Sequence, residues 1–358
     1  MGVKQGSLEN MDIGFWKDKR VLISGNTGFK GSWLNFWLDL MEANTLGYSL
    51  KPQRKSLFKS LRLDRNVETK FDDIRDEKKT KKIFEDFKPE IVFHLAAQPL
   101  VQRSFKEPRL TYETNIMGTI NMIEAAIKSG SVKSFINVTS DKVYENNSWL
   151  WGYRENDPLN GSDPYSNSKS CADLIAQSYR KNFLGKNFKL ANVRSGNVIG
   201  GGDWSEDRLV PDMIRSIIEE KTFTIRNPHA TRPWQHVFEP LQGYLILAEK
   251  MHKKKVLGGD WNFGPDNSQN ANVKEISQKF SRFWNSKVKI SKTKDKFKEA
   301  DFLRLDSTKS KEKLGWNSIW DLDKSLKETF LWYEMKLANK NIYKFSKEQL
   351  LRYSNQQN

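Results

Sequence analysis

The clearest candidates for chemistry are Tyr165 and Lys169, four positions apart in Tyr165-Ser-Asn-Ser-Lys169. On a helix, residues at this spacing share a face, so the Lys169 ammonium would lie beside the Tyr165 phenol. A neighbouring cation lowers the pKa of a phenol and lets it act as a base near neutral pH. Tyr343 and Lys347 have the same spacing, but only Tyr165 has a strand-end serine, Ser140, 25 residues before it. We therefore interpret the first pair and Ser140 as catalytic, and the second pair as surface residues.

Two ionisable side chains, Asp141 and Lys142, follow Ser140 directly. Interconversion of an alcohol and a ketone by hydride transfer needs neither of them. A solvated loop pair is the plain alternative, but their place beside a catalytic hydroxyl favours a second acid or base function. The sequence therefore indicates more proton transfers than a simple dehydrogenase requires.

A glycine-rich turn, Gly25-Asn-Thr-Gly28-Phe-Lys-Gly31, stands between the first predicted strand and the first predicted helix. Such glycines allow a pyrophosphate to approach the helix N-terminus, whose amides and dipole attract anions. The turn therefore predicts a dinucleotide site, and Asp73 and Ile74 after the third strand suit its adenine side. Together with later strand ends, the candidate cofactor residues are Gly25, Thr27, Gly28, Phe29, Lys30, Gly31, Asp73, Ile74, Leu95, Ala96, Ala97 and Asn115, besides Tyr165 and Lys169.

The choice between NAD and NADP stays open from the residues alone. An acidic residue about 20 positions after the glycines would bind the ribose hydroxyls of NAD. The second predicted strand instead ends Tyr48-Ser-Leu-Lys51, without an acid. Lys51, Arg54 and Lys55 could accommodate the additional phosphate of NADP.

The second half of the chain carries arginines spread over polar turns. Several arginines in a lobe that closes on the site suit bidentate contacts with a diphosphate, although each alone could be a surface charge. The candidate substrate residues are Gln98, Asn197, Arg208, Leu209, Arg226, Arg232, Trp234 and His236. Trp149, Trp151 and Tyr153 could pack in a core or stack on a sugar, and we favour packing for at least one of them.

The elements that must position these residues alternate between apolar strands and amphipathic helices. The predicted strands are Val21–Ser24, Thr45–Leu50, Thr69–Ile74, Ile91–Ala97, Ser134–Val138 and Lys189–Val193. The predicted helices run from the glycine turn to about Glu42 and over Glu77–Phe87, Leu110–Ile127, Asp163–Phe183 and Leu209–Glu219. This alternation predicts an α/β fold with a doubly wound parallel sheet and right-handed crossovers.

The predicted organisation has four parts. A flexible leader, 1–14, precedes a dinucleotide-binding domain, 15–195. A smaller C-terminal substrate-binding lobe, mainly 196–340, closes over the carboxyl ends of the strands, and some of its segments return to the first domain. The polar residues 341–358 are predicted to form an end helix or a frayed tail.

Composition excludes several classes of protein. The chain has 358 residues and a net charge of +16, but its basic residues are scattered and lack interleaved aromatics, which argues against nucleic-acid binding. The single Cys171 excludes a disulfide framework, and the four His residues form no ligand-like cluster, so no metal site is expected. No apolar run approaches membrane length, and the N-terminus has no signal-peptide pattern. We expect a cytoplasmic protein with no membrane partner.

Taken together, these motifs resemble those of the extended short-chain dehydrogenases/reductases that act on nucleotide sugars, a family with a Rossmann domain. The resemblance is most specific for the CDP-glucose 4,6-dehydratase branch and runs from about Phe15 to about Trp332. It is carried by Thr27-Gly-Phe-Lys-Gly-Ser-Trp33, Thr139-Ser-Asp-Lys-Val-Tyr144, Trp151-Gly-Tyr-Arg-Glu155, Asp163-Pro-Tyr-Ser166, Gly196-Asn-Val-Ile-Gly-Gly-Gly-Asp-Trp204, Arg226-Asn-Pro and Arg232-Pro-Trp-Gln-His236.

The resemblance implies NAD as cofactor and a redox-neutral dehydration of CDP-glucose to CDP-4-dehydro-6-deoxyglucose, in deoxysugar and O-antigen biosynthesis. Tyr165 would deprotonate the C4 hydroxyl with help from Ser140 and Lys169, and Asp141 would protonate the departing C6 hydroxyl. The related dTDP-glucose dehydratases have Glu, their C5 base, where this chain has Lys142. Lys142 could therefore remove the C5 proton or stabilise the enolate. The resemblance also implies a homodimer or a higher homo-oligomer.

Three alternatives to this interpretation stay open. Another nucleotide-sugar dehydratase or a 4-epimerase would use the same fold, although an epimerase has no use for Asp141 as a leaving-group acid. A non-catalytic dinucleotide sensor is an alternative of a different class, and the presence of the Tyr165/Lys169 pair argues against it.

Overall fold

The computed structural model describes residues 13–225, 227–266, 271–284, 288–290 and 303–356. The strands are β1 (Arg20–Ser24), β2 (Asn44–Ser49), β3 (Glu68–Phe71), β4 (Ile91–His94), β5 (Ser134–Val138), β6 (Lys189–Ser195), β7 (Val198–Ile199), β8 (Phe223–Ile225), β9 (Thr231–Arg232), β10 (Gln235–His236), β11 (Gly259–Phe263), β12 (Ala271–Asn272) and β13 (Val288–Ile290).

The helices alternate with these strands through most of the chain. They are α1 (Ile13–Trp16), α2 (Phe29–Leu40), α3 (Leu57–Ser60), α4 (Leu63–Asn66), α5 (Glu77–Phe87), α6 (Val101–Lys106), α7 (Pro108–Tyr112), α8 (Gly118–Ser129), α9 (Pro164–Asn182), α10 (Leu209–Ile218), α11 (Phe238–His252), α12 (Val273–Phe283), α13 (Thr308–Leu314), α14 (Leu322–Leu337) and α15 (Ile342–Asn355). A π-helical turn, Glu113–Met117, and a 3₁₀ turn, Asp141–Val143, interrupt this series.

A seven-stranded parallel sheet in the order β11-β6-β5-β4-β1-β2-β3 forms the centre of the molecule. Every residue of β4 and β5 is buried, as expected for central parallel strands covered on both faces. Side chains of β1 alternate between two cores, because Val21 and Ile23 pack on one face and Leu22 on the other. The predicted doubly wound α/β fold is confirmed.

Helix α5 shows how local sequence sets the element boundaries. Its N-cap, Asp76, accepts a hydrogen bond from the Lys79 amide at 3.1 Å. Its C-cap, Lys88, adopts the left-handed conformation at φ 49° immediately before Pro89. The structure therefore has this helix at Glu77–Phe87, the range predicted from the sequence.

The smaller lobe contains α10, α12 and the short pairs β8–β13 and β9–β12. Helix α11 and strand β11 belong to the sheet instead, since β11 pairs with β6 and α11 packs against β5 and β6. Parts of the sequence after residue 195 therefore return to the sheet. No helix in the described ranges is long and apolar enough to cross a membrane.

The helical spacing predicted over Leu110–Ile127 lies within a continuous helical stretch, which runs through α7, the π-helical turn and α8. Within the π-helical turn, Asn115 bonds to Gln98 and Ser168. Of the two alternatives for residues 341–358, the structure has the end helix, α15, which packs on α14 and buries Tyr353 completely. Residues 1–12 of the predicted leader lie outside the described residues.

Candidate active site

A cleft of about 850 Å³ opens at the carboxyl ends of the sheet strands, between the sheet and the smaller lobe. It brings together most residues that the sequence singles out. These are Gly25, Thr27, Gly28, Phe29, Lys30, Gly31, Asp73, Ile74, Leu95, Ala96, Ala97, Gln98, Ser140, Asp141, Lys142, Tyr165, Lys169, Asn197, Arg208, Leu209, Arg232 and Trp234.

The glycine turn forms one wall of the cleft, and its geometry demands glycine. Gly25 has φ +75°, and a Cβ there would stand 2.7 Å from the Ala96 amide nitrogen. A Cβ on Gly31 would collide with the Gly25 carbonyl oxygen. The N-cap of α2 is Gly28, which offers no side chain to the first helical amides. Backbone amides and an exposed helix N-terminus at this wall fit the diphosphate of a dinucleotide.

At the end of β2, where many dinucleotide sites carry an acidic residue, this chain has the hydroxyl of Ser49. Thr27 Oγ1 and Ser49 Oγ are 2.7 Å apart, and Thr27 also donates to the Leu50 carbonyl at 3.0 Å. Asp73 accepts hydrogen bonds from the Arg75 guanidinium and amide. Burial raises the pKa of Asp73, but these bonds outweigh burial and hold it below its usual value. Asp73 is therefore an anion paired with a cation at the cleft edge.

The catalytic turn follows β5. Ser140 caps the 3₁₀ turn Asp141–Val143 by accepting from the Lys142 amide at 3.2 Å, and its hydroxyl donates to Asp141 Oδ1 at 3.0 Å. Asp141 is 2% exposed, and its Oδ2 has no hydrogen-bond partner among the described residues. Burial raises the pKa of Asp141, and the charges of Lys142, Arg232 and Lys30 lower it by less. A buried carboxyl with a raised pKa and an unpartnered oxygen can hold a proton for transfer.

Tyr165 stands in the first turn of α9, which Asp163 caps by accepting from the Ser166 amide at 2.9 Å. Burial raises the pKa of Tyr165 to about 12, although a hydrogen bond with Ser140 and the charge of Arg208 lower it. The Lys169 ammonium donates to the Val138 carbonyl at 3.0 Å, and burial lowers its own pKa to about 8.

A buried ion pair between Arg194 and Asp173 holds Thr139, the residue directly before Ser140 of the catalytic turn. Arg194 and Asp173 are 0% exposed and are joined by bonds of 2.9 and 2.8 Å. Asp173 also accepts from Thr139 Oγ1 at 2.9 Å, and Thr139 immediately precedes Ser140. Sequence reasoning missed this pair, and the available signal was a charged residue, Arg194, directly after an apolar strand.

The opposite wall carries the candidate substrate residues. Arg208 pairs with Asp203 at 3.0 Å, and Trp234 donates from its indole to the Ala271 carbonyl at 3.2 Å. Gln98 donates to Thr111 Oγ1 at 2.9 Å, which holds its amide at the cleft floor. Arg208 and Arg232 line the same cleft as the glycine turn, an arrangement suited to a second anionic ligand.

Some predicted site residues do not line the cleft. His236 is completely buried, with its ring 4.4 Å from Phe238 and 4.7 Å from Trp320, so its proposed contact with substrate is not supported. Asn115 lies beneath the cleft, where it bonds to both backbone groups of Gln98. Arg226 lies outside the described residues.

The aromatic residues near the catalytic turn pack on one another. Trp149 stacks on Tyr153 with ring centroids 5.4 Å apart and lies 5.5 Å from Trp151. None of the three lines the cleft, so the packing interpretation applies to them rather than sugar stacking. Within the described ranges, no cluster of His, Cys, Asp or Glu could hold a metal ion.

Residues 22–329 match the family model described as GDP-mannose 4,6 dehydratase. A CDP-glucose 4,6-dehydratase of Salmonella typhimurium is 43% identical over 352 residues, which cover 96% of this chain and 98% of that protein. A human dTDP-D-glucose 4,6-dehydratase is 28% identical, covering 91% of this chain and 93% of that protein.

Solved structures show the same fold. A UDP-glucose 4-epimerase of Thermotoga maritima with UDP-glucose superposes with a TM-score of 0.79 at 24% identity, covering 89% of this chain and 99% of that one. A dTDP-glucose 4,6-dehydratase of Bacillus anthracis in complex with NAD superposes with a TM-score of 0.76 at 21% identity, covering 92% and 99%. By its family match and its Salmonella relative, the chain belongs to the nucleotide-sugar 4,6-dehydratases.

Proposed function

We propose that this protein is an NAD-dependent lyase that converts CDP-glucose to CDP-4-dehydro-6-deoxyglucose and water. The observation that carries the proposal is one cleft that holds both a Tyr165–Lys169–Ser140 group and a buried acid, Asp141. The first group serves oxidation at C4, and the acid serves loss of the C6 hydroxyl. The CDP specificity rests on the Salmonella relative.

The cofactor site fits NAD. The glycine turn and the N-terminus of α2 would hold the diphosphate, and the wall from Leu95 to Ala97 would hold the inner half of the molecule. Asp73 and Ile74 would contact the adenine side. When bound there, NAD would supply the reversible hydride transfer that oxidation at C4 and reduction at C6 require.

The first proton transfer belongs to Tyr165. Its phenolate would remove the proton of the C4 hydroxyl, and the Ser140 hydroxyl would hold the reacting oxygen. A hydrogen bond with Ser140 and the positive charge of Arg208 favour the phenolate against the cost of burial. Lys169, fixed to the Val138 carbonyl, adds a second cation to this end of the cleft.

The second pair of proton transfers belongs to the catalytic turn. With a ketone at C4, the proton on C5 is acidic. Removal of that proton together with cleavage of the C6–O bond gives a C5=C6 double bond. Asp141 would transfer its proton to the departing C6 oxygen, which leaves as water. Lys142, the next side chain, would either accept the C5 proton and return it to C5 when the hydride arrives at C6, or stabilise the enolate.

The wall that carries Arg208, Arg232 and Trp234 would bind the nucleoside diphosphate. The two guanidinium groups would neutralise the diphosphate, while Asn197 and Gln98, which line the same cleft, would contact the sugar. Leu209 begins α10 at this wall. Arg226 stays a candidate contact of the same lobe.

We further propose a cytoplasmic homodimer or higher homo-oligomer that works in deoxysugar and O-antigen biosynthesis. A nucleotide-sugar substrate and a single free thiol, Cys171, support the compartment. Neither a nucleic acid nor a membrane is expected as a partner.

The test is incubation of the purified protein with catalytic NAD and, in parallel, CDP-, dTDP-, UDP- and GDP-glucose. Mass spectrometry would follow the loss of one water. We expect water loss from CDP-glucose and none with Tyr165→Phe. A 4-epimer found by NMR without water loss would assign an epimerase instead. Bound NAD without turnover of any sugar would assign a dinucleotide sensor.

A further inference from the structure

Lys30 belongs to the glycine turn, yet its ammonium is anchored at the floor of the cleft. Its Nζ donates to Ser195 Oγ at 2.8 Å, at the end of β6. The Tyr244 phenol donates to the same hydroxyl at 2.9 Å, and Lys30 Nζ lies 6.0 Å from the centre of the Tyr244 ring. The Ser195 hydroxyl, itself bonded to the Tyr244 phenol, therefore holds this ammonium at the end of β6.

The charges around Lys30 are those of the catalytic groups. Burial lowers the pKa of Lys30 to about 7, the positive charges of Arg208 and Lys169 lower it as well, and the negative charge of Asp141 raises it. In return, the positive charges of Lys30, Lys142 and Arg232 lower the pKa of Asp141, which burial raises. Lys30 and Asp141 therefore influence each other's charge.

The other groups that face Asp141 are neutral hydroxyls. Ser140 donates to its Oδ1 at 3.0 Å. The phenols of Tyr165 and Tyr244 respond to its charge, which raises the pKa of both. Lys30 is fixed by Ser195 at the end of β6, and β6 pairs with β5, the strand that leads into the catalytic turn of Asp141.

We propose that Lys30 is a positioning residue for the dehydration, whose ammonium, fixed by Ser195 and Tyr244, faces Asp141 and controls how readily that carboxyl gives its proton to the departing C6 hydroxyl. This inference rests on the proposed function, because it assigns Asp141 the acid role. In the step itself, the Asp141 O–H bond and the sugar C6–O bond break, and water forms. Lys30 contributes charge and no atom.

Two variants change the Lys30 charge in opposite ways. Lys30→Met removes it at every pH, and Lys30→Arg keeps it at every pH. Since the Lys30 charge lowers the pKa of Asp141, its removal raises that pKa and keeps the acid protonated to higher pH. The alkaline decline of kcat should therefore lie about half to one pH unit lower in Lys30→Arg than in Lys30→Met, the order of shift expected for one charge in a partly buried site. The wild-type protein, whose Lys30 loses its charge near pH 7, should lie between the two variants.

The readouts separate this role from a structural one. KM for the sugar nucleotide should change less than about twofold, because Lys30 acts on the proton of Asp141 rather than on substrate binding. Above neutral pH, Lys30→Arg should accumulate bound reduced cofactor, seen at about 340 nm, because oxidation at C4 proceeds while elimination slows. Lys78→Met, an exposed lysine on α5 outside the cleft, is the matched control and should leave the pH profile unchanged.

Each outcome has a distinct meaning. Opposite shifts in Lys30→Met and Lys30→Arg support the proposal. Unchanged profiles, or shifts in the same direction, in variants that still bind NAD overturn it. If the wild-type protein dehydrates no sugar nucleotide, the proposed function itself fails, whatever the variants show. If it dehydrates a nucleotide sugar other than CDP-glucose, the same profiles are measured with that substrate.

Discussion

The buried pair Arg194–Asp173 allows a quantitative test of how the catalytic turn is held. Arg194 donates to Asp173 at 2.9 and 2.8 Å, to the Tyr144 hydroxyl at 2.8 Å and to the Glu155 carbonyl at 3.0 Å. Both charged side chains are 0% exposed. Arg194→Met would leave the Asp173 carboxylate buried without its cation, which costs about 3–5 kcal/mol.

The assay is urea unfolding followed by tryptophan fluorescence, with kcat measured on the folded fraction. We expect Arg194→Met to lose about 3–5 kcal/mol of unfolding free energy, and kcat to fall because Thr139 loses its fixed partner. Thr139→Val is the graded control, since it removes one hydrogen bond worth about 1 kcal/mol. The double variant Arg194→Met/Asp173→Leu should be more stable than Arg194→Met, because no charge stays buried. A loss below about 1 kcal/mol in Arg194→Met would refute the reasoning.

Three further expectations concern the glycine turn, the catalytic groups and a buried acid. Gly31→Ala places a Cβ against a backbone carbonyl and should weaken NAD binding more than about tenfold, whereas Gly185→Ala, with open space around it, should bind normally in a titration. Tyr165→Phe should lower turnover at least about 10²-fold, whereas Asp141→Asn should oxidise C4 and stall, so that absorbance near 340 nm accumulates; full-rate product from Asp141→Asn would remove its acid role. Burial raises the pKa of Glu239 from 4.5 to about 7, so the folded chain binds this proton more tightly and the resulting stability is lost as pH rises between those values. In urea titrations, Glu239→Gln should therefore remove the corresponding fall in the free energy of unfolding between about pH 5 and pH 7. An unchanged pH dependence of that free energy would contradict the assignment.

The sheet could be predicted from sequence because its strands are buried on both faces. Fully buried strands such as β4 and β5 consist of short apolar runs, and glycine or proline marks their ends. The glycine turn, Tyr165 and Ser140 were found because each stands at a strand end or a helix start. These positions meet at one edge of a parallel sheet, so local pattern was enough to place them in one cleft.

Other features depend on tertiary contacts that no local pattern records. Helix α15 looks polar because its buried face includes Ser346 and Gln349, whose hydrogen bonds go to Trp332 and Glu328. His236 shares a motif with the cleft residues Arg232 and Trp234, yet β10 turns its ring into an aromatic core. The Lys30 side chain was predicted to contact the cofactor, and only the fold shows its partner 165 residues away.

The central claim is a dehydration in which the hydrogen removed from C4 returns to C6 of the same sugar. The most direct test is turnover of CDP-glucose deuterated at C4, with the product examined by NMR and mass spectrometry. We predict that the deuterium appears in the C6 methyl group and that the product has lost one water. Deuterium lost from the sugar, or retained at C4 in an unaltered or epimerised substrate, would contradict the account.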